Sequence, residues 1–395
     1  MSHVSRTILY NARLVMEDGV LQQGELYLEG GTILWAGSSE SRPASLNSFE
    51  ADSRIDAEGG WLVPGFIDIH IHGGYGHDFM DATAEALEGI TRFHGKNGTT
   101  AMLATSVTAP REALDQLLEA VHTYQQQDMP YAQLIGVHLE GPFISPKWPG
   151  AQNPAYIVPP QQEWLEEWTA KYPGLIKQLT LAPEHEGAFA LIHWLKEHGI
   201  IAAAGHTDAS YEIMEEAVEH GLSHAVHTFN AMTGLHHRAP GTVGAVLSDD
   251  RINAEVIADG FHVHPAGIKL LAKTKTDNNL ILITDAMSAA GLGNGQYSLG
   301  GLAVTVKDGK ATLTEGNSLA GSTLTMISAF RYVINVVGVD IVEASRMASL
   351  NPAQALRMDD KLGSLAAGKQ ADVLLLSPDL EIKRIWVKGR EANLD

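Results

Sequence analysis

The sequence predicts an α/β chain: a (β/α)8, TIM-like barrel carrying a small β-sandwich domain built from both termini. Three observations point there. Eight apolar runs of strand length alternate with helix-like stretches over about 230 residues, the count and size of such a barrel. Short β-rich runs broken by glycine occupy both ends of the chain. Polar residues collect at the ends of six of the eight runs, where a barrel of this kind carries its chemistry. A doubly wound open sheet, the competing layout, usually has fewer strands.

Taken in order, Thr7–Val15, Gly24–Glu29 and Thr32–Ala36 read as strands, with turns at Asp18-Gly19 and Gly30-Gly31. Residues Ser38–Ser53 are polar and irregular. The barrel strands expected are Trp61–His72, Thr99–Thr105, Leu134–Gly141, Leu179–Glu184, Ile200–His206, His224–Phe229, Asn253–Asp259 and Leu280–Ala286. Between them Arg111–Gln127, Ala188–Glu197, Ser210–His220 and Pro265–Lys273 have helical character, and Trp164–Trp168 reads as an amphipathic surface for packing. Ser322–Val337 and Ile341–Leu350 read as closing helices, and Asn351-Pro352 ends the region. Ala371–Leu376, Ile382–Val387 and the turn at Lys388-Gly389 return to β character. Residues 1–60 and 355–395 are therefore assigned to the terminal domain, and residues 61–354 to the barrel.

Composition narrows the function classes. At roughly 150 residues per domain, 395 residues make two or three domains, or one large barrel with an appendage. Hydrophobic residues at 45% and charged residues at 19% exclude a disordered or fibrous chain. The absence of cysteine excludes a disulfide framework, a thiol nucleophile, a thiolate zinc site and an iron–sulfur cluster. With 27 basic against 47 acidic residues the net charge is −20, which argues against general affinity for nucleic acid or an anionic membrane. Met1–Asp18 has no apolar stretch of signal-peptide type, and no window approaches the roughly 18 apolar residues of a membrane span. A soluble, cytoplasmic protein is expected. Eighteen histidines point to imidazole chemistry if a metal is bound.

The strand ends carry that chemistry. The first expected strand ends Asp68-Ile-His70-Ile-His72, and residues two apart on a strand share a face. His70 and His72 therefore project together, as two metal ligands or as a pair of satisfied polar core residues. The third ends His138-Leu-Glu140-Gly141, the fifth Gly205-His206, and the sixth contains His227. The seventh ends Asp259-Gly-Phe-His262 and the eighth Thr284-Asp285. Singly, Glu140 could cap a turn, His206 and His227 could be structural, and Asp285 could cap a helix. Together, imidazoles and carboxylates suit zinc or iron(II) with open positions for water. Such a metal would bring the pKa of water toward neutrality, and Asp285 is the carboxylate placed to move the proton. Other signals fail. Gly363-Ser-Leu-Ala-Ala-Gly368-Lys369-Gln370 lacks the Ser or Thr of a phosphate loop, and Gly291-Leu-Gly293-Asn-Gly295 lacks the dinucleotide spacing and reads as a loop.

These motifs resemble the amidohydrolase superfamily, and within it the family of N-acetylglucosamine-6-phosphate deacetylases. The matching pieces are Pro64-Gly-Phe-Ile-Asp-Ile-His-Ile-His-Gly73, His138-Leu-Glu-Gly-Pro-Phe143, Leu181-Ala-Pro-Glu184, Gly205-His-Thr-Asp-Ala209, His227-Thr-Phe-Asn-Ala-Met232, Asp259-Gly-Phe-His262, Thr284-Asp-Ala286 and Leu319-Ala-Gly-Ser322. The resemblance implies hydrolysis of a phosphorylated N-acetyl amino sugar to the free amine and acetate, in amino sugar catabolism and cell-wall recycling. It implies that Glu140, His206 and His227 hold one divalent metal, and that His70 and His72 hold a second with Glu140 between. Asp285, counted with these metal ligands, would also be general base and then acid. His262 would contact the sugar, and Asn230, Ala231, Leu319, Ala320 and Gly321 would shape the pocket. Arg238 matches the family's phosphate-binding arginine, and the usual arrangement is a homodimer whose partner contributes to this site. One position departs: where some relatives carry a histidine that polarises the acetyl carbonyl, this chain has Gln152. With His70 and His72 present a second cation can share that work, so about two zinc or iron ions per chain are expected. No lysine that could be carbamylated ends the fourth strand. The alternatives are a deacetylase of N-acetylgalactosamine 6-phosphate, a dihydroorotase-like or aminoacylase-like hydrolase, and a non-catalytic scaffold.

Overall fold

Thr99–Thr105 is buried at every position, the pattern of a strand covered on both faces. In the computed structural model, which describes residues 4–275 and 279–393, it lies in an eight-stranded parallel sheet. The outermost three N-terminal and two C-terminal residues of the expected terminal domain lie outside the described residues. In spatial order the sheet contains Phe66–Asp68, Thr99–Thr105, Gln133–Glu140, Ile176–Leu181, Ile201–Ala204, His224–Ala225, Asn253–Ile257 and Leu280–Ile283, each paired in parallel with the next. Strand order thus follows chain order, as in a barrel.

The seam between the first and last strands is closed beyond both. Thr284 donates its hydroxyl to Asp68 Oδ2 at 2.6 Å, the Asp285 N–H donates to the His70 carbonyl at 2.9 Å, and the His72 N–H donates to the Ala286 carbonyl at 2.9 Å.

Helices cover the outside. Arg111–Tyr124 buries Leu114, Leu117, Leu118 and Val121, a stripe at helical spacing, and Tyr211–His220 starts where Ser210 Oγ accepts the Ile213 N–H. Gln162–Lys171 realises the expected packing surface, with Leu165 and Trp168 buried. Side chains such as Phe66, Leu103 and Ile281 are fully buried, each worth about 1.5–3 kcal/mol in apolar transfer.

Three features differ from the sequence expectations. The run Trp61–His72 is two strands. Trp61–Pro64 belongs to the terminal sheet, between Arg6–Met16 and Val373–Leu376, and only Phe66–Asp68 enters the barrel. The break falls at Gly65, where a Cβ would sit 2.2 Å from Thr100 Oγ1, so only glycine lets the two layers touch. The sixth strand is just His224–Ala225, and the chain then turns through a left-handed His227. Finally, Gly295–Leu299, Leu302–Lys307 and Lys310–Leu313 form a three-stranded antiparallel sheet that packs Leu299, Val304, Val306 and Ala311 beside the barrel mouth.

The terminal segments form one eight-stranded sheet, with strands from the N-terminal part paired to Val373–Leu376 and its neighbours. Leu14, Leu26, Leu62, Val373 and Trp386 make its core. No helix among the described residues is long and apolar enough to cross a membrane.

Candidate active site

Glu140, the last residue of Gln133–Glu140, is the hub of the barrel mouth and is 2% exposed. Its Oε1 lies 3.2 Å from His70 Nε2, 3.2 Å from His206 Nε2 and 3.1 Å from His227 Nε2. Its Oε2 lies 3.3 Å from His72 Nε2. Asp285 Oδ1 is 3.1 Å from His72 Nε2 and 3.8 Å from His70 Nε2. Two groups with the spacing of a metal site therefore share Glu140: His70 with His72, and His206 with His227.

Both groups fit a cation on internal grounds. The Nδ1 atoms of His72 and His206 face the carbonyls of Thr105 and Trp148 at 3.3 and 3.0 Å, and His70 Nδ1 faces Glu255 Oε2 at 2.9 Å. A ring nitrogen facing an acceptor carries the proton, so each Nε2 offers a bare lone pair. Those lone pairs point at a carboxylate, and His70 Nε2 is buried with no hydrogen-bond partner. Acceptors converging on acceptors out of water are stable with a positive ion among them. The carboxylates here favour the protonated forms of His70 and His72. Burial disfavours a charged His72, yet its hydrogen bonds to Asp285 and Glu140 raise its pKa to about 10. Burial pushes the Asp285 and Glu140 carboxyls up, and the surrounding histidines pull both below the ordinary carboxylate range.

The backbone that presents these groups is strained. His206, His227 and Asp285 have φ of 47°, 29° and 49°, left-handed values costly for side chains with a Cβ. Each lies just beyond its strand, where the chain turns out of the barrel, and this turn aims the side chain back over the axis. No helix follows Asp285, so the capping alternative is not realised. Glu184, which stands after the fourth strand where a bridging lysine would be needed, accepts hydrogen bonds from Thr207 Oγ1 and the Asp208 N–H. Asp208 in turn holds Trp148 Nε1 at 2.8 Å and Lys147 Nζ at 2.5 Å.

A cavity of about 470 Å³ opens over the cluster, lined by His72, Glu140, His206, His227 and Asp285. Gln152, Asn230, Ala231, His262, Leu319 and Gly321 line it as the sequence suggested. His262 is oriented by Asp259, whose Oδ2 lies 2.7 Å from its Nδ1. Two expected residues, Ala320 and Arg238, lie outside the lining, and Gln152 lines it with its amide already engaged. Ala320 is fully buried beneath the wall, packed with Leu299 and Val304. Gln152 has its polar atoms engaged: Oε1 accepts the Thr108 N–H at 2.6 Å and Nε2 donates to Glu140 Oε2. Arg238 lies on an exposed turn outside the cavity lining, with Nη1 2.6 Å from His237 Nε2.

Sequence reading missed Lys147, Trp148, Leu299 and Ser318, which also line the cavity. It missed Glu255 and Gln178 beneath His70, although a lone Glu inside the apolar run Asn253–Ile257 was a visible signal.

Residues 61–392 match the model of the amidohydrolase family. Over 388 residues the chain is 39% identical to the N-acetylglucosamine-6-phosphate deacetylase of Bacillus subtilis (strain 168), covering 98% of this chain and 96% of that one. It is 37% identical to an N-acetylgalactosamine-6-phosphate deacetylase of Escherichia coli O157:H7, over the full length of both. Among solved structures, a mutant N-acetyl-D-glucosamine-6-phosphate deacetylase from Mycobacterium smegmatis, in complex with N-acetyl-D-glucosamine-6-phosphate, matches with a TM-score of 0.91 at 32% identity. The match covers 98% of this chain and 99% of that one.

Proposed function

Since this chain belongs to the amidohydrolase family, we propose that it hydrolyses the acetamide of N-acetylglucosamine 6-phosphate to glucosamine 6-phosphate and acetate. The observation that carries this reading is the placement of Asp285, 3.1 Å from His72 Nε2 at the edge of the Glu140 cluster and facing the same cavity as His262. Full-length relatives named for this reaction support it.

The family is metal-dependent. Glu140, His206 and His227 would hold one divalent ion, and His70 and His72, with Glu140, a second; zinc and iron(II) both suit the donor set. A metal there supplies Lewis-acid polarisation of the acetyl oxygen and a more acidic water. The chain's own groups do the rest. Asp285, with its pKa held low, takes a proton from the attacking water as the new C–O bond forms. It returns that proton to the amide nitrogen as the C–N bond breaks, so amine and acetate leave. His262, fixed by Asp259, meets the sugar, while the walls at Asn230-Ala231, Leu319 and Gly321 position it.

Arg238 reads the phosphate from a partner subunit in a homodimer, which accounts for a phosphate-binding arginine outside its own cavity. The enzyme acts in the cytoplasm in amino sugar catabolism and cell-wall recycling. The relative from Escherichia coli makes the galactosamine isomer the second substrate to try. Acetate release from both sugar phosphates, with zinc- and iron-loaded protein, tests the reading. Faster turnover of the glucosamine substrate is expected, and activity on neither overturns it.

A further inference from the structure

Beneath the metal cluster lies a carboxylate that the reaction above does not use. Glu255 sits in the middle of Asn253–Ile257 and is 0% exposed. Its Oε2 lies 2.9 Å from His70 Nδ1, and its Oε1 accepts from Gln178 Nε2 at 2.8 Å. No lysine or arginine pairs with it among the described residues. A buried carboxylate is costly unless paired. Gln178 is neutral, so the balancing positive charge must arrive through the imidazole of His70. His70 has one other nitrogen, Nε2, and that atom faces Glu140 at 3.2 Å with no hydrogen-bond partner.

We infer that Glu255 is the positioning residue of the second metal position. It accepts the Nδ1 proton of His70, fixes that tautomer and ring plane, and so aims the Nε2 lone pair at the ion shared with His72 and Glu140. Its charge also makes His70 a stronger donor, because a carboxylate behind an imidazole raises the basicity of the far nitrogen. The same support is absent from the first position. His206 has a neutral carbonyl behind it, that of Trp148, and His227 Nδ1 has no partner. The two ions therefore differ in what holds them: Glu255 serves one and leaves the other untouched. Gln178 keeps the carboxylate from rotating away, and its Nε2 also lies 3.3 Å from His138 Nε2, which ties it into the barrel interior.

This inference rests on the two-ion reading, and its test separates the two. Zinc is titrated into metal-free protein by calorimetry, and bound zinc is counted by elemental analysis, for the wild type, Glu255→Gln, His70→Ala and the double variant. Wild type should bind two ions per chain. Glu255→Gln keeps the size and an acceptor oxygen but removes the charge. It should weaken the second ion about 10- to 100-fold, the usual effect of losing such a partner, and leave the first unchanged. Adding Glu255→Gln to His70→Ala should cost nothing further, an outcome that a merely structural role would not give. Wild type binding a single ion would overturn both the two-ion reading and this inference. Two ions in the wild type and equal affinity in Glu255→Gln would overturn this inference alone. If Glu255→Gln does not fold, Gln178→Met, which removes only the donor holding Glu255, should weaken the second ion by a smaller factor. No change there would overturn the inference equally.

Discussion

Asp285 has two claims on it, as base and as ligand, and its distances separate them. Oδ1 is nearer to His72 Nε2, at 3.1 Å, than to His70 Nε2, at 3.8 Å, and it stands outside both three-residue groups that share Glu140. Asp285→Asn should therefore keep its metal while turnover falls about 10²–10⁴-fold, the usual loss when a general acid–base group is removed. Acetate release alongside metal content checks this, and loss of metal would make Asp285 a ligand first. Gln152 invites the opposite expectation. Because its amide is spent on Glu140 and Thr108, it is not free to polarise an acetyl oxygen. Gln152→Ala should cost less turnover than His70→Ala, and steady-state rates of the two metal-loaded variants decide it. The groups at this scale that were legible in sequence are those whose polarity conflicts with an apolar strand end: His70, His72, Glu140, His206, His227 and Asp285. The position of Arg238 outside its own cavity lining was not legible, since an exposed loop arginine carries no local packing signal.

Among elements, the sixth strand is the shortest in the barrel, and it begins with an anomaly. His224 is fully buried, with Ser223 Oγ 2.9 Å from its Nδ1 and nothing on Nε2. Burial pushes its pKa down to about 3. In the fold it stays neutral, while an unfolded chain protonates it below about 6.5. The unfolded state thus binds more protons between these values, and stability is lost as pH falls from about 6.5 toward 3, by up to about 1.4 kcal/mol per pH unit. His224→Phe should flatten that slope by one proton. Urea midpoints from pH 6.5 to 4.5 measure it, and parallel curves for variant and wild type would refute it. Helices such as Arg111–Tyr124 and Tyr211–His220 were read nearly to their ends, because the stripe Leu114–Val121 and the Ser210 cap are local, whereas Ala84–Lys96 and Gly241–Ser248 went unread. The three-stranded sheet at 295–313 went unread because its strands are half-exposed and lack an unbroken apolar run. The Gly65 boundary was hidden for the converse reason: both of its strands are apolar, and only their partners differ.

For the molecule as a whole, Arg238 lies outside the cavity lining of its own chain, and the homodimer proposed above can be tested on it. Arg238→Ala should weaken the phosphosugar far more than unphosphorylated N-acetylglucosamine, by about 1.5–3 kcal/mol for a lost charge-assisted hydrogen bond, and KM for the two sugars measures it. Mixing Arg238→Ala with Asp285→Asn subunits should restore activity, because one mixed site has both groups intact. No restoration would place the arginine in its own chain's site. The pairing of the termini was legible at this scale, since β-rich ends flank an alternating middle, but the register was not. That register has a consequence for how the protein is made. Trp61–Pro64 finds its partner Val373–Leu376 about 300 residues later in the chain, and at a synthesis rate of about 5–20 residues per second the wait is on the order of tens of seconds. Throughout that interval the nascent N-terminal strands present the open edge of Leu62 and Val63 to the ribosome's surroundings. This sheet therefore closes only once its distant partner strand has been made, rather than by local collapse.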